Sequence, residues 1–513
     1  MRKSGGVLAV AAVVASMFIS SASALAQSEA ATIAQMRAQI DQLQRQVQQL
    51  ELQNQQKTQA VQATNQQVQE LDQKVTVVDH KLAVAQEVSD QRARLTPTIE
   101  ADKWGFFLQS PDQKAYKIQL GGWVQADGRF YTSQEPANAS STFLLRRVRP
   151  YVQGTVDEFY DFRIMEELGN PKANGATSSP VLQDAFGNVR YWKQFQFEIG
   201  KFKEALGLEF LQDDRWTLFP ERALTNDLLP QREVGGTLHG RLFQDSIDWN
   251  LGLFNGGVDG SSSVDSDNND SKDFIGRVWW RPFHPEEIPI LKGFGFGVAG
   301  SYGDERGSTI PTFASTFQNT FFTYASTSSS SPFKSKTATS VFASGLRWRI
   351  EPQTAYYSGP LGIFGEWINE NQNIGGLFPK VGKTHAFYRY DDISNQAWQI
   401  AGSYVLTGED AAFYGVVPRH DFNPLTGDGL GAWEIAARVD QLLIDKNAFN
   451  LGFADPTVSA REDLEYDIGL NWYLSRNLKF MLDYVNNSFI WGAPNGHNRP
   501  KENGIITRLQ LNL

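Results

Sequence analysis

Residues 116–130 read YKIQLGGWVQADGRF, and apolar or small residues occupy every second position of this stretch. In an extended chain, Val124 and Ala126 lie on one face, whereas Gln125 and Arg129 lie on the other. A period of two over this length predicts a strand much longer than the ~5–6 residues that are usual in globular proteins. One apolar face and one charged face are typical of a tilted strand that crosses a bilayer in a closed barrel.

The same pattern recurs to the end of the sequence. Sixteen strand-like segments begin near Tyr116, Thr142, Tyr160, Leu182, Gln194, Thr237, Ile247, Asp273, Phe294, Thr339, Ser358, Ala397, Gly431, Leu464, Asn477 and Asn503. We therefore predict an all-β transmembrane barrel of sixteen antiparallel strands in residues 116–513, preceded by an N-terminal α-helical coiled coil.

The connections differ in length in the way that such a barrel requires. If the chain enters from the periplasm, the connections after odd-numbered strands are external, and they include the long links 203–235, 255–272, 303–337 and 371–396. Most of the opposite connections are short, as expected for periplasmic turns. The link 407–430 is an exception, since it predicts a long periplasmic turn for which the pattern offers no reason.

The N-terminus predicts export. Arg2 and Lys3 precede an apolar run over residues 7–19, and Ala24 and Ala26 are small residues at the positions that a signal peptidase reads, so we expect a signal peptide over residues 1–26. The sequence contains no cysteine, which excludes disulfides and thiolate metal sites. The formal charge of −10 identifies no ligand, because lumen residues and outer loops contribute to the same sum.

Residues 27–92 are rich in Gln, Ala and Val and predict a periplasmic coiled coil, followed by a linker over residues 93–115. Apolar residues alternate in steps of three and four at Ile33, Met36, Ile40, Leu43, Val47 and Leu50, and the same register continues through Val61, Val68, Leu71, Val75, Val78, Leu82 and Ala85, interrupted by the polar residues Asn54, Lys57 and Thr64. Ile or Val at the first seam position with Leu at the second favours two helices. The alternative is a Gln-rich disordered linker.

Several blocks resemble the family of phosphate- and polyphosphate-selective porins of O and P type. They are GWVQADGRF from Gly122, FLLRRVRPYVQGTV from Phe143, QFEIGKFKEALGLE from Gln196, ERALTNDLLPQREVG from Glu221, SYVLTGE from Ser403, GAWEIAARVD from Gly431 and GLNWYLSRNLKFMLDYV from Gly469. The resemblance implies an outer-membrane barrel that forms homotrimers, with a pore lined by arginines and narrowed by inward-folded external loops. We favour the trimer over the dimer of the helical seam, because the barrel contacts are larger.

Fixed positive charge facing the lumen is the chemistry that anion passage needs. The faces opposite the apolar positions carry Arg129, Arg147, Arg149, Arg163, Arg190, Arg241, Arg277, Arg347, Arg349, Arg438 and Arg508. Arginine suits phosphate because its planar guanidinium gives two parallel hydrogen bonds and stays charged. The alternative is a balanced lining, in which these arginines pair with acids on the same faces, namely Asp127, Asp184, Glu198, Glu434, Asp440 and Asp467.

By resemblance, the third and fifth external loops form the constriction. Their basic residues are Lys203, Arg215, Arg222, Arg232, Arg306, Lys334 and Lys336. The six histidines show no ligand spacing, and the acidic run DSDNND from Asp265 lacks the glycine and distal glutamate of a calcium loop. We therefore expect no catalytic residues, no cofactor and no metal site.

These observations predict an outer-membrane porin, not an enzyme, for passive diffusion of small anions, with phosphate or polyphosphate as the leading candidates. Its expected partners are the transported anion, outer-membrane lipid and two further copies of the chain, with no nucleic acid. One alternative is a general or organic-anion porin with balanced lumen charge. Another is an envelope tether or adhesin that contacts the cell wall through the coiled coil.

Overall fold

The computed structural model describes residues 25–102, 105–112, 114–132, 140–169, 180–257, 270–286, 288–307, 310–325, 340–378 and 385–513. The chain divides into two compact units between Arg94 and Leu95. The predicted signal peptide falls outside the described residues up to residue 24.

The described part of the first unit is one helix, α1, which spans Leu25–Leu95, ends at the first residue of the second unit and contains neither glycine nor proline. The predicted heptad seam lies along this helix, and its residues Met36, Ile40 and Leu43 are all exposed in the single chain. Pairing of the seam in a coiled coil stays a prediction. Among the described residues, no helix has both the length and the apolar content needed to cross a bilayer.

The second unit is a closed antiparallel barrel, which confirms the predicted strand number. Within the described residues its sixteen strands, β1 to β16 in chain order, are Tyr116–Tyr131, Thr142–Val156, Tyr160–Glu167, Val181–Trp192, Phe195–Lys203, Arg232–Leu242, Ile247–Phe254, Asp273–Trp280, Phe294–Asp304, Ser340–Ser358, Leu361–Phe378, Phe387–Val405, Ala432–Leu443, Ala460–Tyr473, Leu478–Ala493 and Glu502–Asn512. Each strand pairs with its neighbours in the chain, and β16 pairs with β1 through Arg508↔Asp127 and Leu509↔Ala126. This last pairing leaves the barrel without a free edge.

Short elements complete the second unit. They are the strands Thr98–Asp102 and Gly105–Gln109, the helices α2 (Leu208–Leu211) and α3 (Lys446–Asn450), the 3₁₀ helices Leu224–Leu228 and Pro494–Gly496, and the short strands Phe313–Ala314, Thr320–Phe322 and His497–Asn498. The first two strands form a hairpin inside the predicted linker and extend the sheet beside the start of β1.

The barrel has a polar interior and an apolar exterior. In β14, Glu465 and Asp467 face inward and are 0% and 1% exposed, whereas Tyr466 and Ile468 face outward and are 47% and 61% exposed. This is the reverse of a soluble protein, in which buried charged residues are rare. An apolar outer face with a polar lumen is the pattern of a barrel that crosses a membrane.

The prediction of an external loop over residues 371–396 is wrong. Strands β11 and β12 continue through most of it and pair as far as Phe378↔Phe387, so residues 371–378 and 387–396 are paired strand rather than loop. Polar residues such as Glu370 and Asn395, which face each other in this ladder, extend its inner face. The sequence NENQNIGG at residues 369–376 lacks apolar alternation, and a ladder that extends beyond a bilayer needs no continuous apolar face.

Candidate functional site

The third external loop, residues 204–231 between β5 and β6, folds into the barrel. Its Leu206, Phe219 and Leu228 are 0% exposed, and they pack among residues of the barrel wall. Gly207 starts the inserted segment with φ 76°, and a Cβ there would come within 2.4 Å of Leu229 Cδ1, so the turn requires glycine.

Backbone carbonyls of this loop accept hydrogen bonds from the wall. Asn471 Nδ2 donates to the Leu218 carbonyl at 2.9 Å, and Lys479 Nζ donates to the Thr217 carbonyl at 3.0 Å. Both donors lie on strands far from the loop in sequence. The loop is therefore held across the lumen rather than at its rim.

Glu221 of the third external loop is the centre of a basic network on β1, β2 and β16. Arg146 donates two hydrogen bonds to its carboxylate, Nε to Oε1 at 2.6 Å and Nη2 to Oε2 at 2.9 Å. Arg129 also contacts this carboxylate, and Arg147 and Arg508 approach it at 3.7 and 3.4 Å. One loop carboxylate thus joins four guanidinium groups of the wall.

Asp214 is the second loop carboxylate of this network. It forms ion pairs with Arg147, at 3.5 Å, and with Arg149 and Arg222. Arg149 also pairs with Glu167 at 2.6 Å. Asp127 pairs with Arg129 and Arg508. With these pairs included, six arginines and four carboxylates are connected by ion pairs. We call this set the basic network; its members are Arg129, Arg146, Arg147, Arg149, Arg222 and Arg508, with Asp127, Glu167, Asp214 and Glu221.

The two loop carboxylates remain ionised in this setting. Burial alone would raise the pKa of Glu221, but the charges of Arg146, Arg129 and Arg147 outweigh it and hold that pKa well below its usual range. The pKa of Asp214 is likewise well below its usual range, because neighbouring arginines outweigh the effect of burial. Both carboxylates therefore keep their negative charge.

Arg146 is not among the arginines that the sequence pattern predicts to line the pore. Strict alternation from Arg147 and Arg149 would place Arg146 on the lipid face, but a bulge occurs where Gln125↔Arg147 is followed by Ala126↔Leu145. The extra residue is Arg146, whose side chain reaches Glu221 inside the barrel. An arginine at an apolar-face position of a membrane strand was the available signal.

A second group of charges surrounds Arg438 on β13. Its guanidinium lies near Glu209 at 3.5 Å, Asp440 at 3.0 Å, Glu465 at 3.0 Å and Asp467. All of these side chains are nearly completely buried. We call this the acidic network, because one arginine faces four carboxylates.

The other predicted pore arginines are also mostly paired. Ion pairs join Arg163 to Asp184, Arg190 to Asp161, Arg241 to Asp248, Arg347 to Asp273 and Glu305, and Arg349 to Glu370. Arg277 donates to Gln353 Oε1 at 3.1 Å and lies over the Trp279 ring. Ten of the eleven predicted pore arginines thus have a carboxylate partner, an arrangement that agrees with the balanced-lining alternative.

The constriction candidates occupy different places. Lys203 ends β5 and donates to the carbonyls of Phe210 and Gln212 at 2.6 and 2.7 Å, whereas Arg232 starts β6 and pairs with Asp184 at 2.7 Å. These two residues therefore hold the ends of the third external loop.

Arg215 lies over the Trp123 ring, with 5.2 Å from its guanidinium carbon to the ring centroid, and pairs with Asp213 at 3.1 Å. Arg222 belongs to the basic network, and Arg306 is exposed and pairs with Asp304. The candidates Lys334 and Lys336 lie outside the described residues.

The described part of the fifth external loop, residues 310–325, also enters the barrel. Thr316 Oγ1 donates to Glu465, and Ser315 Oγ donates to Glu502 Oε2 at 2.6 Å. The Ala314 backbone N–H donates to Asp227 Oδ2 of the third external loop at 2.9 Å. The third and fifth external loops therefore contact each other inside the barrel.

The unexplained long turn, residues 406–431, reaches the third external loop from the other end of the barrel. Gln212 Nε2 donates to the Phe413 carbonyl, and the Trp216 ring packs against Gly415. A cavity of about 20 Å³, enough for about one water molecule, lies between these segments. The length of this turn thus has a structural role, since it supports the inserted loop.

Comparisons with known proteins support the family resemblance. The profile of the family described as phosphate-selective porin O and P matches residues 118–513. Porin O of Pseudomonas aeruginosa is 21% identical over 438 residues, which cover 80% of this chain and 91% of that protein.

Two solved structures are among those similar to this chain. The outer membrane channel DcaP of Acinetobacter baumannii has a TM-score of 0.46 and 10% identity, covering 81% of this chain and 99% of its own. An anion-selective porin from Comamonas acidovorans has a TM-score of 0.47 and 9% identity, covering 78% of this chain and 100% of its own.

Proposed function

The chain belongs to the family of phosphate-selective porins O and P, and on this premise we propose that it passes small anions by passive diffusion, with phosphate or polyphosphate as the leading candidates. Membership in this family makes the protein an outer-membrane porin, a channel rather than an enzyme. The nature of its solute and the role of its arginines form the proposal.

The basic network is the observation that carries the anion preference. It contains six arginines and four carboxylates, so it retains positive charge after every carboxylate is counted. An anion entering the lumen exchanges part of its hydration for guanidinium hydrogen bonds. Because each arginine already has a carboxylate partner, no single arginine holds the anion tightly, which favours its release.

A general porin with balanced lumen charge is the second candidate. It is favoured by the pairing of ten of the eleven predicted arginines and by the acidic network around Arg438. Neighbouring patches of opposite sign would orient dipolar solutes and select weakly between anions and cations.

Reversal potential in a KCl gradient across a planar bilayer separates the two candidates. For the anion channel, Arg222→Gln should lower the ratio of anion to cation permeability by about thirtyfold, since one unit charge at ~4 Å in water attracts an anion and repels a cation by about 1 kcal/mol each. Lys193→Gln is the matched control, because Lys193 lies in the turn between β4 and β5 and pairs with Asp245 outside the basic network.

Added phosphate tests the solute. Block of the chloride current by low phosphate concentrations would support a phosphate pore. Cation selectivity, or equal selectivity of wild type and Arg222→Gln with no phosphate block, would contradict the anion proposal and favour the general porin.

We also propose a homotrimer, with the helical unit supplying one helix per chain. The exposed apolar seam of α1 supports this, because burying it requires other helices. Contact of this unit with the cell wall is part of the same proposal. Chemical crosslinking that captures dimers and no trimers would contradict the homotrimer.

A further inference from the structure

The acidic network contains more buried negative charge than its one arginine balances. Asp440, Glu465 and Asp467 each place a carboxylate oxygen within 4.8 Å of the others. All three side chains are at most 1% exposed. Removing charges from water costs several kcal/mol for each ion unless partners compensate it.

Asp483 on β15 is a further buried carboxylate on the same inner face. It is 1% exposed, and within the described part of the chain neither of its carboxylate oxygens has a hydrogen-bond partner. The register pairs it with Gly469, so it lies diagonally across from Asp467 on the same inner face. Its Oδ1 lies 3.3 Å from where a Cβ of Gly469 would be, so the absent side chain lets Asp483 lean over β14.

We propose that Asp440, Glu465 and Asp467, with Asp483 beside them, bind a divalent cation of the calcium type. Calcium prefers six to eight oxygen ligands in a flexible arrangement, and carboxylates are its usual protein ligands. The proposal replaces our expectation from the sequence that the protein has no metal site, because that expectation rested on the absence of cysteine, on histidine spacing and on one acidic loop.

The residues around the site are suited to hold it in place. Asn487 Nδ2 and Thr316 Oγ1 both donate to Glu465 Oε2, which orients this ligand from β15 and from the fifth external loop. Arg438 remains beside the same carboxylates and offsets part of their charge. A bound cation would therefore stabilise the contact between the fifth external loop and the wall and reduce the negative charge of the lumen.

Direct calcium binding tests the proposal. Protein refolded in detergent without outer-membrane lipid, stripped with EDTA and dialysed against ⁴⁵Ca²⁺ at pH 8 should retain one ion per chain. The double variant Asp467→Asn, Asp483→Asn should bind at least tenfold more weakly. Asp248→Asn is the matched control, since this carboxylate pairs with Arg241 and Arg281 away from the site.

Two results would overturn the proposal. One is that wild type retains no calcium. A thermal midpoint of unfolding that rises between pH 8 and pH 6 and does not change when calcium is added would then mean that protons neutralise the site. The other is unchanged binding in a folded double variant. If that variant does not fold, crystals of wild type soaked in Mn²⁺ decide: an anomalous peak between Asp440, Glu465 and Asp467 supports the site, and its absence refutes it.

Discussion

Replacing Glu221 by glutamine should release the third external loop from the barrel wall. The substitution keeps the size of the side chain but removes the charge that faces Arg129, Arg146, Arg147 and Arg508. Breaking a buried pair by removing one partner typically costs about 3–5 kcal/mol, because the other charge is left buried.

The structure indicates where in this range the loss falls. Arg129 and Arg508 keep Asp127 as a partner, and Arg147 keeps Asp214, so the main loss is the two-bond contact with Arg146. We therefore expect the lower limit, about 3 kcal/mol. If all of it opposes docking of the loop, the undocked fraction rises by about two orders of magnitude, since each ~1.4 kcal/mol is a factor of ten.

Single-channel recording measures this change. Glu221→Gln should show larger mean conductance and more frequent current fluctuations than wild type at equal salt. Glu158→Gln is the control, because it makes the same chemical change in an exposed pair with Lys114. The double variant Glu221→Gln, Arg146→Gln should lie closer to wild type than the single Glu221 variant, since it leaves no unpaired charge buried at this contact. Conductance and fluctuations equal to those of wild type would refute the reasoning.

Three further predictions concern the loops and the helical unit. Burial raises the pKa of Asp227 to about 7. The hydrogen bond from the Ala314 N–H lowers this pKa, and the negative charge of Glu465 raises it further. Because the docked state then binds more protons than the undocked state, docking should weaken as pH rises from about 4 to about 7 and change little above that, so current fluctuations should grow over this window. Asp227→Asn should abolish the dependence, and persistence of the dependence in this variant would contradict the assignment. Gly415→Val should detach the 406–431 turn from Trp216, since Gly415 has φ 81° and a Cβ there would meet the ring at 2.7 Å; unchanged conductance would show that the turn does not support the third external loop. Removal of residues 28–89 should leave conductance intact, and a loss of envelope integrity in cells carrying the truncated chain would support the tether role.

Much of the barrel was predictable because strand alternation is a local property. Successive side chains point to opposite faces of any extended chain, so residues 116–130 revealed their two faces without knowledge of their neighbours. The inward placement of Arg129, Arg438 and Arg508 followed in the same way. Where this local rule fails, at the bulge that turns Arg146 inward and in the paired residues 371–378 and 387–396, the prediction failed with it.

The sequence by itself thus determined the strand number, the polar inner face and the family. Only the tertiary structure decided which charges meet: Glu221 is 92 residues from Arg129 and 287 residues from Arg508, and they come together because β16 closes on β1 and the third external loop folds inside. Pairing of the neighbouring strands β13, β14 and β15 brings Asp440, Asp467 and Asp483 to one inner surface. Periodicity reports which way a side chain faces, whereas its partner depends on how distant segments share the enclosed lumen.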